Sequence, residues 1–112
     1  MLTCNSGSSE SRLSLWKNFR EEITPLDTAV QIQKVAKFFQ QTPIGTRSLD
    51  FYTPSTWPTP WEILYNGTYC PNSISLLIYY SLVLLPKFDR KVDIWLIEDS
   101  TDRFLVPVLE DQ

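Results

Sequence analysis

Histidine is absent from all 112 residues. With it go the side chain that most readily moves protons near neutral pH and the commonest metal ligand. Cysteine occurs only twice, as Cys4 in a polar tail and Cys70 in the middle of the chain, a pair that offers neither metal-ligand spacing nor a persuasive disulfide. No metal and no cofactor is therefore expected. The three glycines, Gly7, Gly45 and Gly67, are too few and too scattered to cradle a phosphate group. Basic residues are in deficit, ten against thirteen acidic ones, for a net charge of -3. An acidic surface gives nucleic acid or anionic lipid little reason to approach, and Lys87, Arg90 and Lys91 read as a solvated connector. The apolar run from Ile74 to Leu85 is shorter than the roughly 20 residues a bilayer requires. The first nine residues lack the basic start and apolar block of a signal peptide, so an intracellular or virion location is expected. Asn66-Gly67-Thr68 matches a glycan acceptor, and without a secretory route the match is read as accidental.

What is present is enough for one globular domain with a modest core, since 43% of residues are hydrophobic and 21% charged. The chain is organised around Trp57 to Leu85. At its centre Cys70 and Pro71 precede Ile74, Leu76, Leu77, Ile78, Tyr79, Tyr80, Leu82, Val83, Leu84 and Leu85, and Pro86 follows. A proline at the first helical position, a nearly uncharged apolar stretch and a closing proline predict a buried helix with Cys70 at its N-terminal lip. The small polar residues Met1 to Ser9 predict an arm that buries little. Leu15, Trp16, Phe19 and Ile23 recur at helical spacing, predicting an amphipathic helix over Ser11 to Ile23. Arm and helix together make an N-terminal segment of residues 1–24, ahead of a domain of residues 25–112.

Thr24-Pro25-Leu26-Asp27 reads as a cap, a first-turn proline and an acid opening a second helix to about Gln41, with Ala29, Ile32, Val35, Ala36 and Phe39 facing the core and Val30 and Phe38 flanking. Prolines and small polar residues from Thr42 to Trp57 predict a long loop, packed down by Phe51, Tyr52 and Trp57. Thr59-Pro60-Trp61-Glu62 is a capping-box signature for a short helix, ended by Asn66-Gly67. Val92 to Glu98 and Arg103 to Leu109, joined by Asp99-Ser100-Thr101-Asp102, predict a hairpin. Val92, Ile94 and Leu96 share one side of its first strand. Trp95 and Ile97 on the other side imply that both faces are at least partly covered. Pro107 places the second strand at an edge or a bulge.

The order helix, loop, Trp57-Pro58-Thr59-Pro60-Trp61-Glu62-Ile63-Leu64, glycine turn, Cys70 at a buried helix and strand hairpin resembles the transglutaminase-like cysteine peptidase superfamily, and its bacterial cysteine-proteinase branch most closely. The resemblance covers about Leu26 to Leu109. It implies an α+β fold, a small papain-like core with helices packed on a short antiparallel sheet, and Cys70 at the position of the nucleophile. The sequence departs from the family at the chemistry. Tyr69, Pro71 and Asn72 replace the acids that flank the family's cysteine, Arg103, Phe104 and Leu105 stand where its histidine is expected, and its third member has no counterpart before Gln112. A thiol with pKa about 8.5 is only slightly ionised at neutral pH, and acyl transfer also needs a proton shuttle worth roughly 10²- to 10⁴-fold. Cys70 is therefore expected to be vestigial, a small core residue.

The expectation for function is a non-catalytic structural or interaction module that meets other protein subunits of a large assembly, with a tailed-bacteriophage virion (tail, baseplate or neck) as the particular assembly. Neither nucleic acid nor membrane is expected as a partner. A two-stranded hairpin leaves unpaired edges that invite another chain. The interface candidates are Leu15, Trp16 and Phe19 on the first helix and Trp95, Phe104 and Val106 on the hairpin. Trp57, Trp61, Tyr65, Tyr79 and Tyr80 are further aromatics that serve as anchors or core. The alternative is a cysteine hydrolase or acyltransferase in which a partner supplies the base to Cys70.

Overall fold

The computed structural model describes residues 8–40, 42, 50–67 and 69–110. The expected arm before Ser8, the helix end at Gln41, residues 43–49 of the loop, Thr68 and the last two residues lie outside them. Among the described residues the architecture is α+β: helices α1 (Ser9–Ile23), α2 (Thr28–Phe38), α3 (Pro60–Asn66) and α4 (Pro71–Val83), a 3-10 turn at Pro54–Thr56, and the antiparallel strands β1 (Val92–Glu98) and β2 (Arg103–Leu109).

Helix α4 is the centre, and its start is built by side chains. Cys70 is the N-cap: its Sγ accepts the Ser73 N–H at 3.4 Å, while the Ser73 hydroxyl accepts the Cys70 N–H at 2.9 Å. These bonds satisfy two donors that the first turn of any helix leaves without intrahelical partners. Leu76, Leu77 and Leu82 are buried and join Trp16, Ile23, Val35, Phe38, Ile63, Leu64, Val92 and Leu105 in one core. Helix α1 belongs to that core, because Trp16 is 1% exposed and its indole Nε1 donates to the Ser81 hydroxyl of α4 at 2.8 Å. The division expected after Thr24 thus falls between two helices that share a single interior.

Helix α2 differs from the sequence expectation. It starts at Thr28, with Asp27 at the N-cap, and Thr24 instead closes α1, its hydroxyl donating back to the Arg20 carbonyl at 2.7 Å. Pro25 therefore lies in the connecting turn. The buried face of α2 is Gln31, Val35 and Phe38, whereas Ala29 and Ala36 are exposed. A glutamine occupies the core because its amide is bonded there: Nε2 donates to the carbonyls of Ile23 at 3.0 Å, which also accepts the Leu26 N–H, and Thr24 at 3.2 Å, at the end of α1. The capping box at α3 forms as its sequence predicts, Thr59 Oγ1 accepting the Glu62 N–H and Glu62 returning the bond. Gly67 closes α3 at φ 69°, a left-handed conformation that suits glycine. In the loop Phe51 and Trp57 pack against the core, while Tyr52 is exposed and its hydroxyl donates to Glu98 at 2.9 Å.

The hairpin runs in unbroken register, Val92↔Leu109, Ile94↔Pro107, Leu96↔Leu105 and Glu98↔Arg103 alternating with Asp93↔Val108, Trp95↔Val106 and Ile97↔Phe104. Side chains alternate between faces along a strand, so the first set lies on one side and the second on the other. Val92, Ile94, Leu105 and Leu109 face the core under α4. The expectation that both faces are at least partly covered is met unevenly: on the second side Trp95 is 55% exposed and Phe104 37% exposed, while Asp93, Ile97, Val106 and Val108 are half-buried. A two-layer fold with four short helices covers one side of its sheet and leaves the other more open.

Candidate functional site

Two places in the molecule answer to the sequence expectations. The first is the lip of α4. Cys70 is 6% exposed and Tyr69, Asn72 and Ser73 around it are buried. Asn72 Oδ1 accepts the Leu105 N–H at 2.9 Å, and the Ser75 hydroxyl reaches the Leu105 carbonyl at 2.7 Å. Both backbone groups of one β2 residue are thereby tied to the first turns of α4. The stretch Arg103, Phe104 and Leu105 does approach this end of the helix, through Leu105. Arg103 turns away, its guanidinium 3.8 Å from Glu98 and 5.4 Å from the centre of the Tyr52 ring. The hydrogen bonds described at Cys70 all run to Ser73 and Ile74. Such bonds fasten a helix end; they move no proton.

The second place is the open face of the hairpin. Trp95 of β1 and Phe104 and Val106 of β2 meet there, with Trp95 directly across from Val106 and Phe104 across from Ile97. Ile97, Val108 and the charged Asp93 complete the face, and Ile97 and Val108 were missed as candidates although the alternation of β1 and β2 places them there. The other three candidates do not join them. Trp16 is a core residue, a correction imposed by its burial and its bond to Ser81, and its ring meets that of Trp61 in a T-shaped contact with centroids 5.8 Å apart. Phe19 stacks on Phe38 at 4.2 Å, and Leu15 is half-buried on α1. Of the further aromatics, Trp61 and Tyr65 are exposed on α3, Trp57 and Tyr79 pack against the core, and Tyr80 is half-buried with its ring edge-on to Tyr79.

Charge is organised around the hairpin turn. The Asp99 carboxylate accepts the N–H groups of Thr101 and Asp102 at 2.8 and 2.7 Å, and these bonds hold it below the usual carboxylate range. Asp50 is lowered likewise by the Thr53 hydroxyl and the Tyr52 N–H. The bond to Glu98, followed by desolvation, pushes the Tyr52 phenol up. Arg20 lies 4.1 Å over the Trp16 ring, and burial lowers its pKa. An open crevice of about 220 Å³ between α1 and α2 is lined by Phe19, Lys34 and Phe38, and another of about 350 Å³ lies between Phe51 and the hairpin turn; neither reaches Cys70. Among the described residues no three His, Cys, Asp or Glu side chains cluster to hold a metal, and no helix is long and apolar enough to cross a membrane.

Compared with known proteins, the chain matches no family model, no curated protein and no solved structure.

Proposed function

We propose that this protein is a non-catalytic interaction module that docks on another protein subunit through the open face of its hairpin. The observation that carries the reading is the convergence of exposed Trp95 and Phe104 with half-buried Ile97, Val106 and Val108 on one side of the hairpin. Contiguous apolar surface rimmed by polar groups is characteristic of protein contact sites, and aromatic side chains supply most of the energy at such sites. The lip of α4 supports the same reading. A sulfur buried at the helix start and committed to the Ser73 N–H is placed to cap, and the chain carries no histidine to activate it. In this proposal α4 and the hairpin are a degenerate transglutaminase-like core kept as a scaffold, and the assembly it serves is a tailed-bacteriophage virion.

The test is purification of the chain from its native source under mild conditions, beside a Trp95→Lys, Phe104→Lys double variant. A stoichiometric protein partner that is lost with the double variant is the expected result. A partner retained by that variant, or no stoichiometric partner at all, overturns docking through this face. Rapid reaction of Cys70 with iodoacetamide in the folded protein well below the ordinary thiol range overturns the non-catalytic reading.

A further inference from the structure

The two edges of the hairpin are treated differently. In an antiparallel pair, alternate residues exchange both backbone hydrogen bonds with the partner strand, and the residues between them turn their N–H and C=O groups outward. The bonds from Asp99 N–H to Asp102 and from Glu110 N–H to Lys91 fix the phase. Asp93, Trp95 and Ile97 of β1 therefore bond β2, whereas Val92, Ile94, Leu96 and Glu98 point their backbone groups away from it. On β2 the outward positions are Arg103, Leu105, Pro107 and Leu109. That edge is closed: Asn72 and Ser75 take both backbone groups of Leu105, and Pro107 has no N–H to offer.

The outer edge of β1 is protected only by the charges of Asp93 and Glu98 among the described residues. It has no proline and no bulge, its register is unbroken, and among the described residues the outward backbone groups of Ile94 and Leu96 have no hydrogen-bond partner. Its charges are also self-complementary. Arg90 and Lys91 stand at its start, Glu98 and Asp99 at its end, and Val-Asp-Ile-Trp-Leu-Ile lies between. Set antiparallel to itself, the strand brings the basic end of each copy to the acidic end of the other.

We infer that β1 pairs with β1 of a second copy of this chain, antiparallel and centred on Trp95, so that two hairpins form one four-stranded sheet. The outward positions fix this register. Ile94 exchanges hydrogen bonds with Leu96 of the second copy and Val92 with Glu98, giving about eight new backbone bonds in all. Lys91 falls opposite Asp99, and Trp95 falls opposite its own counterpart at a non-hydrogen-bonded position, where Cα atoms approach to about 4.5 Å and side chains pack closest. A two-fold axis perpendicular to the sheet keeps both open faces on the same side. The surface holding Trp95, Ile97, Phe104, Val106 and Val108 is thereby doubled, and a marginal two-stranded ribbon becomes a sheet of ordinary width. The inference rests on the proposed docking function, since the doubled face is the surface offered to the other subunit.

Light scattering of the full chain across micromolar concentrations is the test. The expected mass is twice the 13.0 kDa of one chain, and a mass of one chain throughout the range overturns the pairing. Leu96→Pro removes an outward N–H that the hairpin itself does not use, just as Pro107 does on β2, and is expected to raise the dimer dissociation constant at least about tenfold. A dimer as tight as that of the parent chain overturns the β1 route. Should Leu96→Pro not fold, one cysteine added at a time to a Cys4→Ser background, in which Cys70 stays buried, decides the matter. Trp95→Cys is expected to form a disulfide-linked dimer under mild oxidation, because opposed Cα atoms at that distance suit a disulfide. Asp93→Cys, which faces Ile97 of the second copy, is expected not to; the reverse pattern overturns the register. A monomer that still captures its partner overturns the pairing and leaves the docking function standing. A parent chain that dimerises and captures nothing supports the pairing and removes the docking function.

Discussion

The side-chain oxygen of Asn72 accepts the main-chain N–H of Leu105 at 2.9 Å, thirty-three residues further along the chain, and both residues are buried. This bond joins the first turn of α4 to β2 and closes that edge of the sheet. Asn72→Leu leaves a buried N–H without a partner, and the expected loss of stability is about 1–3 kcal/mol. Urea unfolding followed by circular dichroism checks it, and a midpoint unchanged from the parent chain would show that water replaces the amide.

Two tryptophans named as interface candidates lie in opposite environments, Trp16 in the core and Trp95 on the open face of the hairpin. Trp16→Ala empties a core position and removes the donor to Ser81, so a loss of about 3–5 kcal/mol is expected. Trp95→Ala acts on an exposed side chain, and a change within about 0.5 kcal/mol is expected for the isolated monomer. Thermal unfolding of both variants at one low protein concentration gives the comparison, and equal losses would contradict the packing described.

Cys70 is expected to resist alkylation in the folded chain at neutral pH and to react at the rate of a free thiol once urea unfolds it. Cys70→Ser preserves an N-cap acceptor and is expected to keep the stability within about 1 kcal/mol, whereas Cys70→Val, which cannot accept the Ser73 N–H, is expected to cost more. Mass spectrometry of time points and a denaturation curve suffice for both. A serine variant as damaged as the valine variant would remove the cap from the account.

The pH dependence has two limbs with opposite signs. Asp99 is held below its ordinary range, so its contribution is complete above the unfolded carboxylate value of about 3.9 and is lost as pH falls through the lowered folded value. Asp99→Asn should flatten the acid limb of a stability curve. Tyr52 is pushed up by its bond to Glu98, so its contribution is complete below the unfolded phenol value of about 10 and is lost as pH rises through the folded value. Phenolate absorbance should show a late component that vanishes in Tyr52→Phe. If that component persists, the bond to Glu98 is not what delays it.

Gly67→Ala is expected to destabilise the chain by more than the roughly 1–2 kcal/mol of a left-handed alanine. A Cβ at this glycine would stand 2.8 Å from Arg12 Nη2. Arg12 is placed to close the end of α3, its Nε donating to the Leu64 carbonyl at 2.7 Å and its Nη2 to that of Tyr65 at 3.0 Å. Pairing Gly67→Ala with Arg12→Ala separates the two effects. The double variant should recover the steric part and retain the backbone part, and simple additivity of the two losses would argue against the clash.

The local elements were legible in the sequence wherever a short stretch carried its own reason. Thr59 with Glu62, Cys70 with Pro71, Gly67, and the two alternating strands around Asp99 to Asp102 each determine their structure through neighbours a few residues away. The errors have a common cause. Gln31 is absent from the core face expected for α2, and Trp16 was named as an interface candidate. What buries them is a set of partners distant in sequence or beyond the helix in question: the carbonyls of Ile23 and Thr24 in one case and the Ser81 hydroxyl in the other. Trp95, Phe104 and Val106 could be named from the sequence. Their union on one face with Ile97 and Val108 required the register between the strands.

The sequence by itself determined the α+β class, the helix lip at Cys70 and a hairpin with apolar residues on both sides, because caps, turns and alternation are properties of adjacent residues. Only the tertiary structure decided which side of that hairpin is covered and which of its edges is closed. Both follow from where α4 comes to rest: it ties down β2 through Asn72 and Ser75 and leaves the outer edge of β1, and the face bearing Trp95, more open among the described residues.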